Sequence, residues 1–250
     1  MKISVTVPAR LQSSRFPQKI LQNLGGTPIL HRVLERVTKL QNVNEIIALV
    51  DDEHVLQLVS EWGFHGMLTS EECASGTERI ASVMDQLQGD FIINVQGDEP
   101  FVPLDPLEKM ILAAQNSSSD VWTAVYPITS AETLFSLNRV KVVIDQGGRA
   151  IYFSRSPIPF LRDTAEREQW PMLHQFWGHI GVYGYHKKIL TQYSSLKKGI
   201  LEQAEQLEQL RLLENGISIQ CIQTQESTIG IDTQEDLIAA ETFLKTYTKF

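Results

Sequence analysis

Three cations and no acid stand in the stretch PARLQSSRFPQK, residues 8–19: Arg10, Arg15 and Lys19. The chain carries a formal net charge of -8 and its first acidic residue is Glu35, so this loop is a local reversal of charge. Guanidinium groups clamp phosphate oxygens in pairs, and an ammonium is a compact point charge. Together they suit a polyphosphate. Pro8 and Pro17 stiffen the segment. It contains neither GxGxxG nor GxxxxGK[ST], so a phosphate held here is held by side chains and not by a glycine-rich backbone cradle.

Two carboxylates complete a chemical set. Asp98 follows an apolar run in Gln96-Gly97-Asp98-Glu99-Pro100, and Asp232 lies in GIDTQEDL. Magnesium is commonly held by one or two carboxylates, with water and substrate phosphates filling the shell. Two carboxylates on magnesium and three cations on a polyphosphate describe phosphoryl or nucleotidyl transfer, which needs alignment and charge neutralisation more than a covalent catalyst. Each group also fits a plainer role. The basic loop can be a solvated counterweight to acids elsewhere, Asp98 a turn residue bonding its own backbone, and Asp232 or Thr233 a helix N-cap.

The elements that must bring these residues together are legible as alternating patterns. ISVTV (3–7), EIIALV (45–50) and FIINV (91–95) are short apolar runs of buried-strand type. Residues 27–40, 52–62 and 76–87 are helix-length amphipathic segments between and after them. This alternation predicts an α/β fold with a mainly parallel sheet flanked by helices. Ligands of open parallel sheets sit at the carboxyl ends of the strands. PARLQSSRFPQK, DDEH (51–54) and QGDEP (96–100) should therefore leave from one edge, cations facing carboxylates.

The second half reads as an α+β elaboration on the same sheet. Residues 121–128, 140–145, 150–154, 179–185 and 218–224 are strand-like, and DQGG (145–148) suits a hairpin turn. ILEQAEQLEQLRLLENG (200–216) predicts one helix ended at Asn215-Gly216, with an apolar stripe of Ile200, Ala204, Leu207, Leu210 and Leu213. Glu205, Glu208 and Gln209 would then lie on its other faces. TQEDLIAAETFLKTY predicts a last helix, and residues 161–177 an exposed polar and aromatic excursion. We expect one domain over 1–250, with a nucleotide-binding half at 1–115 and a sugar-binding and dimerisation half at 116–250.

Composition narrows the class. With 250 residues the chain can bury a sizeable core, and 42% hydrophobic with 21% charged residues is ordinary for a globular protein. The acidic balance argues against a nucleic-acid surface, which needs clustered Lys and Arg. No apolar stretch reaches bilayer length and no secretory leader is present, so no membrane insertion and a cytoplasmic location are expected. Cys73 and Cys221 form no CxxC pattern and read as two reduced thiols.

The sequence resembles the 3-deoxy-manno-octulosonate cytidylyltransferases (CMP-Kdo synthetases) over nearly its whole length. The stretches that carry the resemblance are PARLQSSRFPQKIL, ASGTERIA (74–81), NVQGDEP (94–100), RVKVVID (139–145), IYFSRSPIP (151–159), HIGVYGY (179–185), LEQLR (207–211) and GIDTQEDL (230–237). The resemblance implies a nucleotide-diphospho-sugar-transferase-like fold, a homodimer, and Mg2+ as cofactor. It implies CTP and Kdo as substrates, CMP-Kdo and pyrophosphate as products, and a role in lipopolysaccharide core biosynthesis. By position, Arg10, Arg15 and Lys19 would bind the CTP phosphates, with Lys19 beside the α-phosphate. Ser75, Gly76 and Thr77 would lie along the nucleotide. Arg79, Gln96, His179, Tyr183, Tyr185, Glu208 and Gln209 would serve the sugar, and Asp98 and Asp232 would ligate the metal. Kdo is an acidic sugar, and Arg79, Arg155, His179 and Gln209 are of a type to receive one.

Four positions depart from the family's habit: Gln18 and Cys73 where glycine and histidine are usual, Thr27 in place of a lysine, and His186 in place of an arginine. A CMP-sialic acid synthetase is the nearest alternative, but its lysine is followed by Asn, and here Lys19 is followed by Ile20. A DxD-type glycosyltransferase does not suit the Arg/Arg/Lys loop. A nucleotide-binding regulator without turnover should have lost part of the set Lys19, Asp98 and Asp232.

Overall fold

Every residue of Ile3–Ala9 is buried, on both faces, which makes this segment a central strand. It is β1 in a computed structural model that describes residues 1–13, 16–117, 119–164 and 166–246. The following strands are β2 (Asn23–Leu24), β3 (Thr27–Pro28), β4 (Glu45–Val50), β5 (His65–Leu68), β6 (Phe91–Asn94) and β7 (Val121–Ile128), then β8 (Lys141–Ile144), β9 (Ala150–Ser154), β10 (Phe176–His186) and β11 (Ile219–Gln223). The helices are α1 (Ile29–Val37), α2 (Glu53–Glu61), α3 (Gly76–Ser82), α4 (Leu104–Asn116) and α5 (Ala131–Phe135), then α6 (Trp170–Leu173), α7 (Lys187–Tyr193), α8 (Ile200–Glu205), α9 (Gln209–Glu214) and α10 (Gln234–Thr246).

One nine-stranded sheet runs β11-β7-β10-β6-β1-β4-β5, with β8 pairing β10 and β9 pairing β8. β6, β1, β4 and β5 pair in parallel, as do β7 and β11. The long β10 runs antiparallel to β6, β7 and β8 and joins the two groups. The expected α/β class and mainly parallel, mixed sheet are thus present. Because β1 lies between β6 and β4, the loops after β1, β4 and β6 leave from one edge. That edge carries the basic loop and Asp98.

Alternation along β4 divides the core between the two faces: Ala48 and Val50 pack with α1, while Ile47 and Leu49 pack with Ile80 and Met84. A smaller third cluster joins Phe16, Leu24, Phe101, Ile231 and Leu237, and so anchors the start of α10 beside the basic loop. The expected hairpin turn is present, with Gly148 N bonding Asp145 O at 3.0 Å. No helix among the described residues is long and apolar enough to cross a membrane.

Two expectations need correction. The helix expected over 200–216 is broken into α8 and α9 at Gln206, whose φ of 54° is left-handed. The expected apolar stripe fails with it: Ile200 is 79% exposed, while Glu202, Gln209 and Arg211 are buried. The cause is polar, since Arg211 forks onto Glu202 and draws that face inward. The excursion at 161–177 is only partly exposed. Trp170 is buried and packs on Phe135, Phe160 and Phe176, and β10 already begins within it. Helix α4 and the edge strand β5 went unassigned in the sequence, although Leu107, Met110, Ile111 and Ala114 have helical spacing.

Candidate active site

Lys19 lies immediately past a left-handed residue, Gln18, with φ 52° and ψ 32°. That turn directs the buried Lys19 side chain back toward the sheet edge. Its Nζ donates to Asp98 Oδ2 and, at 2.8 Å, to Asp232 Oδ1. Burial alone would lower the pKa of this ammonium, but the two carboxylates outweigh it and hold the pKa above its ordinary value. Residues from three distant parts of the chain therefore converge on one cationic nitrogen.

Backbone contacts fix both carboxylates. Gly97 N bonds Pro8 O at 3.0 Å, and a Cβ on Gly97 would stand 2.8 Å from Ala9 Cβ. Only glycine lets the end of β6 pass this close to β1. Ile231 N bonds Asp98 O at 3.1 Å and sets Asp232 beside Asp98. Thr233 Oγ1 caps α10 by accepting Asp236 N at 3.2 Å, while Asp236 Oδ2 accepts the amides of Asp232 and Thr233. The capping role open for Asp232 thus belongs to Thr233, and the Asp232 carboxylate faces Lys19. Next to Asp98, burial and the Asp98 charge push the Glu99 carboxyl up to about 7.

A cavity of about 270 Å³ opens over this pair, with Arg10, Ser13, Ser75, Gly76 and Gln96 in its walls. Arg10 is exposed at its rim. Ser75 caps α3 by accepting Glu78 N at 3.2 Å. A Cβ on Gly76 would stand 2.9 Å from the Gln96 amide, so a larger residue there would displace that side chain from the wall. Asp51, in the loop after β4, accepts Leu11 N at 2.9 Å and Arg79 Nη2 at 3.1 Å. It tethers the basic loop, whereas its neighbour Asp52 caps α2. Arg15 lies outside the described residues.

A second cavity of about 240 Å³ shares Gln96 with the first and is lined by His179, Tyr183, Glu208 and Gln209. Two buried polar atoms in it, Glu208 Oε2 and Gln209 Nε2, have no hydrogen-bond partner in the protein. Such groups cost stability unless a ligand or water satisfies them. Two adjoining cavities, one with an ammonium paired to two carboxylates at its floor and Arg10 and Arg79 in its lining, and one lined by neutral and acidic donors and acceptors, give room for two reactants with a shared wall.

A family model described as Cytidylyltransferase matches residues 4–219. The chain is 40% identical to the 3-deoxy-manno-octulosonate cytidylyltransferase of Porphyromonas gingivalis, covering 98% of this chain and 97% of that protein. It is 38% identical to that of Chloroherpeton thalassium, covering 98% of each. A solved structure described as CMP:2-keto-3-deoxy-manno-octonic acid synthetase complexed with CTP superposes with a TM-score of 0.90 at 34% identity, covering 98% of this chain and 99% of that one. The chain belongs to the 3-deoxy-manno-octulosonate cytidylyltransferase family.

Within this family frame, the expected residues fall into three groups. Lys19, Arg10, Ser75, Gly76, Gln96, Asp98 and Asp232 share the first cavity. His179, Tyr183, Glu208 and Gln209 share the second. Thr77 and Tyr185 stand behind the walls. Arg79 borders the first cavity and not the second, with its guanidinium tied to Asp51, Thr69 and Ser70 O. Thr77 and Tyr185 are buried and meet each other at 3.3 Å. Burial drives the phenols of Tyr183 and Tyr185 well above their ordinary pKa, so both stay neutral.

His179 is polarised in one sense. Thr123 Oγ1 donates to Val182 O at 2.8 Å, so it accepts from His179 Nε2 at 2.8 Å, which leaves Nδ1 the lone pair. Of the four departures, Cys73 lines the first cavity. His186 pairs with Phe91 at the opposite end of β6, far from Asp98, and Thr27 pairs with Leu24 in a short separate ladder. Asp51 belongs to the DDEH loop expected at this edge, whereas Asn94 and Arg211 carry no such signal in the sequence. Asn94 Oδ1 accepts Gln96 Nε2 at 3.1 Å and orients that amide.

Gln18 explains the family's glycine, because only glycine adopts its backbone freely. Gln18→Gly should stabilise the protein by about 0.5–1 kcal/mol and Gln18→Val should destabilise it. Urea midpoints check the order, and the reverse order would contradict the left-handed turn. Burial holds His179 down at about 3, against an ordinary value of 6.5. The unfolded chain therefore takes up a proton below about pH 6.5 that the folded chain refuses, and stability falls as pH drops from there toward 3. At pH 5 this amounts to about 2 kcal/mol. Thermal midpoints of His179→Gln should fall less steeply between pH 7 and 5 than those of the parent, and equal slopes would contradict the assignment.

Proposed function

We infer that this chain joins CTP to Kdo to give CMP-Kdo and pyrophosphate, the activated sugar for lipopolysaccharide core synthesis. The observation that carries this reading is the Lys19 ammonium bracketed by Asp98 and Asp232 at the floor of the first cavity. The triphosphate lies against Arg10, Arg15 and Lys19, with the nucleoside along Ser75, Gly76 and Thr77. Gln96, His179, Tyr183, Glu208 and Gln209 receive the sugar, with Tyr185 behind them and Arg79 on the nucleotide side of the shared wall. The anomeric hydroxyl on C2 attacks the α-phosphorus in line. The O–P bond forms as the bond to pyrophosphate breaks, and the hydroxyl proton leaves to solvent. Lys19 and the arginines neutralise charge growing on the α-phosphate and the leaving group.

A divalent cation fits the floor. Asp98 and Asp232 already converge on one positive atom, and their donors are hard oxygens. Among the described residues no cluster of three His, Cys, Asp or Glu side chains forms a protein-only metal site, which suits Mg2+ shared with substrate phosphates. Bound there, Mg2+ would neutralise phosphate charge and lower the pKa of the attacking hydroxyl.

The same reading assigns nucleotide binding to residues 1–115, sugar binding and dimerisation to 116–250, and places the enzyme in the cytoplasm. Phe160, Met172 and Leu173 are exposed around the buried Trp170 and support a homodimer through that face. A monomeric mass by light scattering would overturn the dimer, and cell fractionation checks the location.

Pyrophosphate release from CTP, Mg2+ and a panel of acidic sugars tests the activity. Release with Kdo is expected, while release with a sialic acid alone would move the assignment to that sugar. Lys19→Ala should cut turnover by a factor of order 100–1,000. Asp98→Asn should cut it too and raise the magnesium needed for half-maximal rate. Parent-like kinetics in either variant would overturn the roles assigned to Lys19 and Asp98.

A further inference from the structure

Arg211 is buried, at 3% exposure, two residues beyond Gln209 in α9. Its Nε donates to Glu202 Oε2 at 2.8 Å and its Nη2 to Glu202 Oε1 at 2.6 Å. The same Nη2 reaches out of α9 to Glu78 Oε1 at 2.9 Å, in the first turn of α3. The Tyr193 ring lies 4.7 Å from the guanidinium carbon and fixes its plane. Burial alone would raise the Glu78 carboxyl, but the bond from Arg211 and the amide of Ala74 reverse that and leave it below the ordinary range.

Glu78 is the other half of a two-sided clamp. Its Oε2 accepts Ala74 N at 3.0 Å, and its own amide is capped by Ser75 Oγ. Ala74, Ser75 and Gly76 are a wall of the first cavity, and Glu208 and Gln209 a wall of the second. Between the 74–75 turn and α8 lies a further cavity of about 300 Å³, lined on its far side by the polar side chains of Glu202, Gln203, Gln206, Glu208 and Arg211. Glu208 itself faces Ser75 and Thr77. One guanidinium therefore ties the turn beside the nucleotide to the helix that carries the sugar ligands.

We propose that the Arg211–Glu78 bridge couples the two subsites, so that nucleotide occupancy and sugar occupancy each tighten the other. Arg211 and Glu78 act as positioning residues. A ligand that orders the 74–76 turn pulls Glu78, and through Arg211 sets the first turn of α9. By linkage the effect is reciprocal. The inference rests on the assignment of the cavities to CTP and Kdo.

Calorimetric titration with the non-cleavable α,β-methylene analogue of CTP, in Mg2+ with and without Kdo, measures the coupling. In the parent each ligand should tighten the other by one common factor, of about five or more. Glu78→Gln keeps an oxygen for Ala74 N and a residue able to follow the Ser75 cap, and weakens the ionic bond to Arg211 together with the longer, half-exposed pair to Lys198 at 3.6 Å. It should bring the factor toward one while changing the affinity for each ligand alone much less. Arg211→Lys, which loses the fork but keeps the charge, should do the same, and if it fails to fold Glu78→Gln decides alone. An unchanged factor in folded Glu78→Gln, or no coupling in the parent, overturns the proposal. Pyrophosphate release by the parent from CTP and Kdo is measured alongside. Release without coupling sinks this inference alone, and absence of release sinks the assignment of function and this inference with it.

Discussion

A buried ammonium shared by two carboxylates holds the site together. Taking Lys19 out of water is costly unless it is paired, and Asp98 with Asp232 supplies the pairing. The partners come from positions 19, 98 and 232, so satisfying one charge obliges the loop after β1, the loop after β6 and the entry to α10 to meet. Neutral devices support the convergence: the glycine contact at Gly97, the bond from Ile231 N to Asp98 O, and the small apolar cluster that seats α10. The Lys19 ammonium supplies the positive charge that these two carboxylates require in one another's company.

The second cavity uses a different device. Tyr183 and Gln209 are buried, His179 and Glu208 half-buried, and the buried atoms Glu208 Oε2 and Gln209 Nε2 are left without protein hydrogen-bond partners. His179 is kept neutral by burial and given one tautomer by Thr123. Elsewhere in the second half, buried charge is fully used. Lys141 donates to the carbonyls of Ser136, Arg139 and Arg155, and Glu205 accepts from Ser154 Oγ and Arg155 N. The second cavity is therefore a place where a ligand can complete what the protein leaves unsatisfied.

Much of the fold was legible because hydrophobic period and strand length are local. The strands 3–7, 45–50 and 91–95, the hairpin at 145–148 and the helix ending at Asn215-Gly216 lie where their residues point. The broken helix at Gln206 was not legible, since Glu202 and Arg211 look like a solvated face until their forked pair buries them. Trp170 was misplaced for a similar reason: its burial depends on Phe135 and Phe176, which are distant or across a turn. The left-handed turn at Gln18 was not legible because a side-chain-bearing residue type carries no signal for a positive φ.

The residue types alone pointed to a chemical set and a family: cations without acids in 8–19, carboxylates at 98 and 232, and motifs that resemble one family along most of the chain. They also set the parallel order that brings three loops to one edge. Tertiary structure decided which plainer role each carboxylate escapes, giving the α10 cap to Thr233 and the Lys19 contact to Asp232. It also divided the polar residues of the second half between cavity walls and supports. Local pattern records propensity and period, whereas the partner of a buried charge is chosen by which distant segments the fold brings within hydrogen-bond reach.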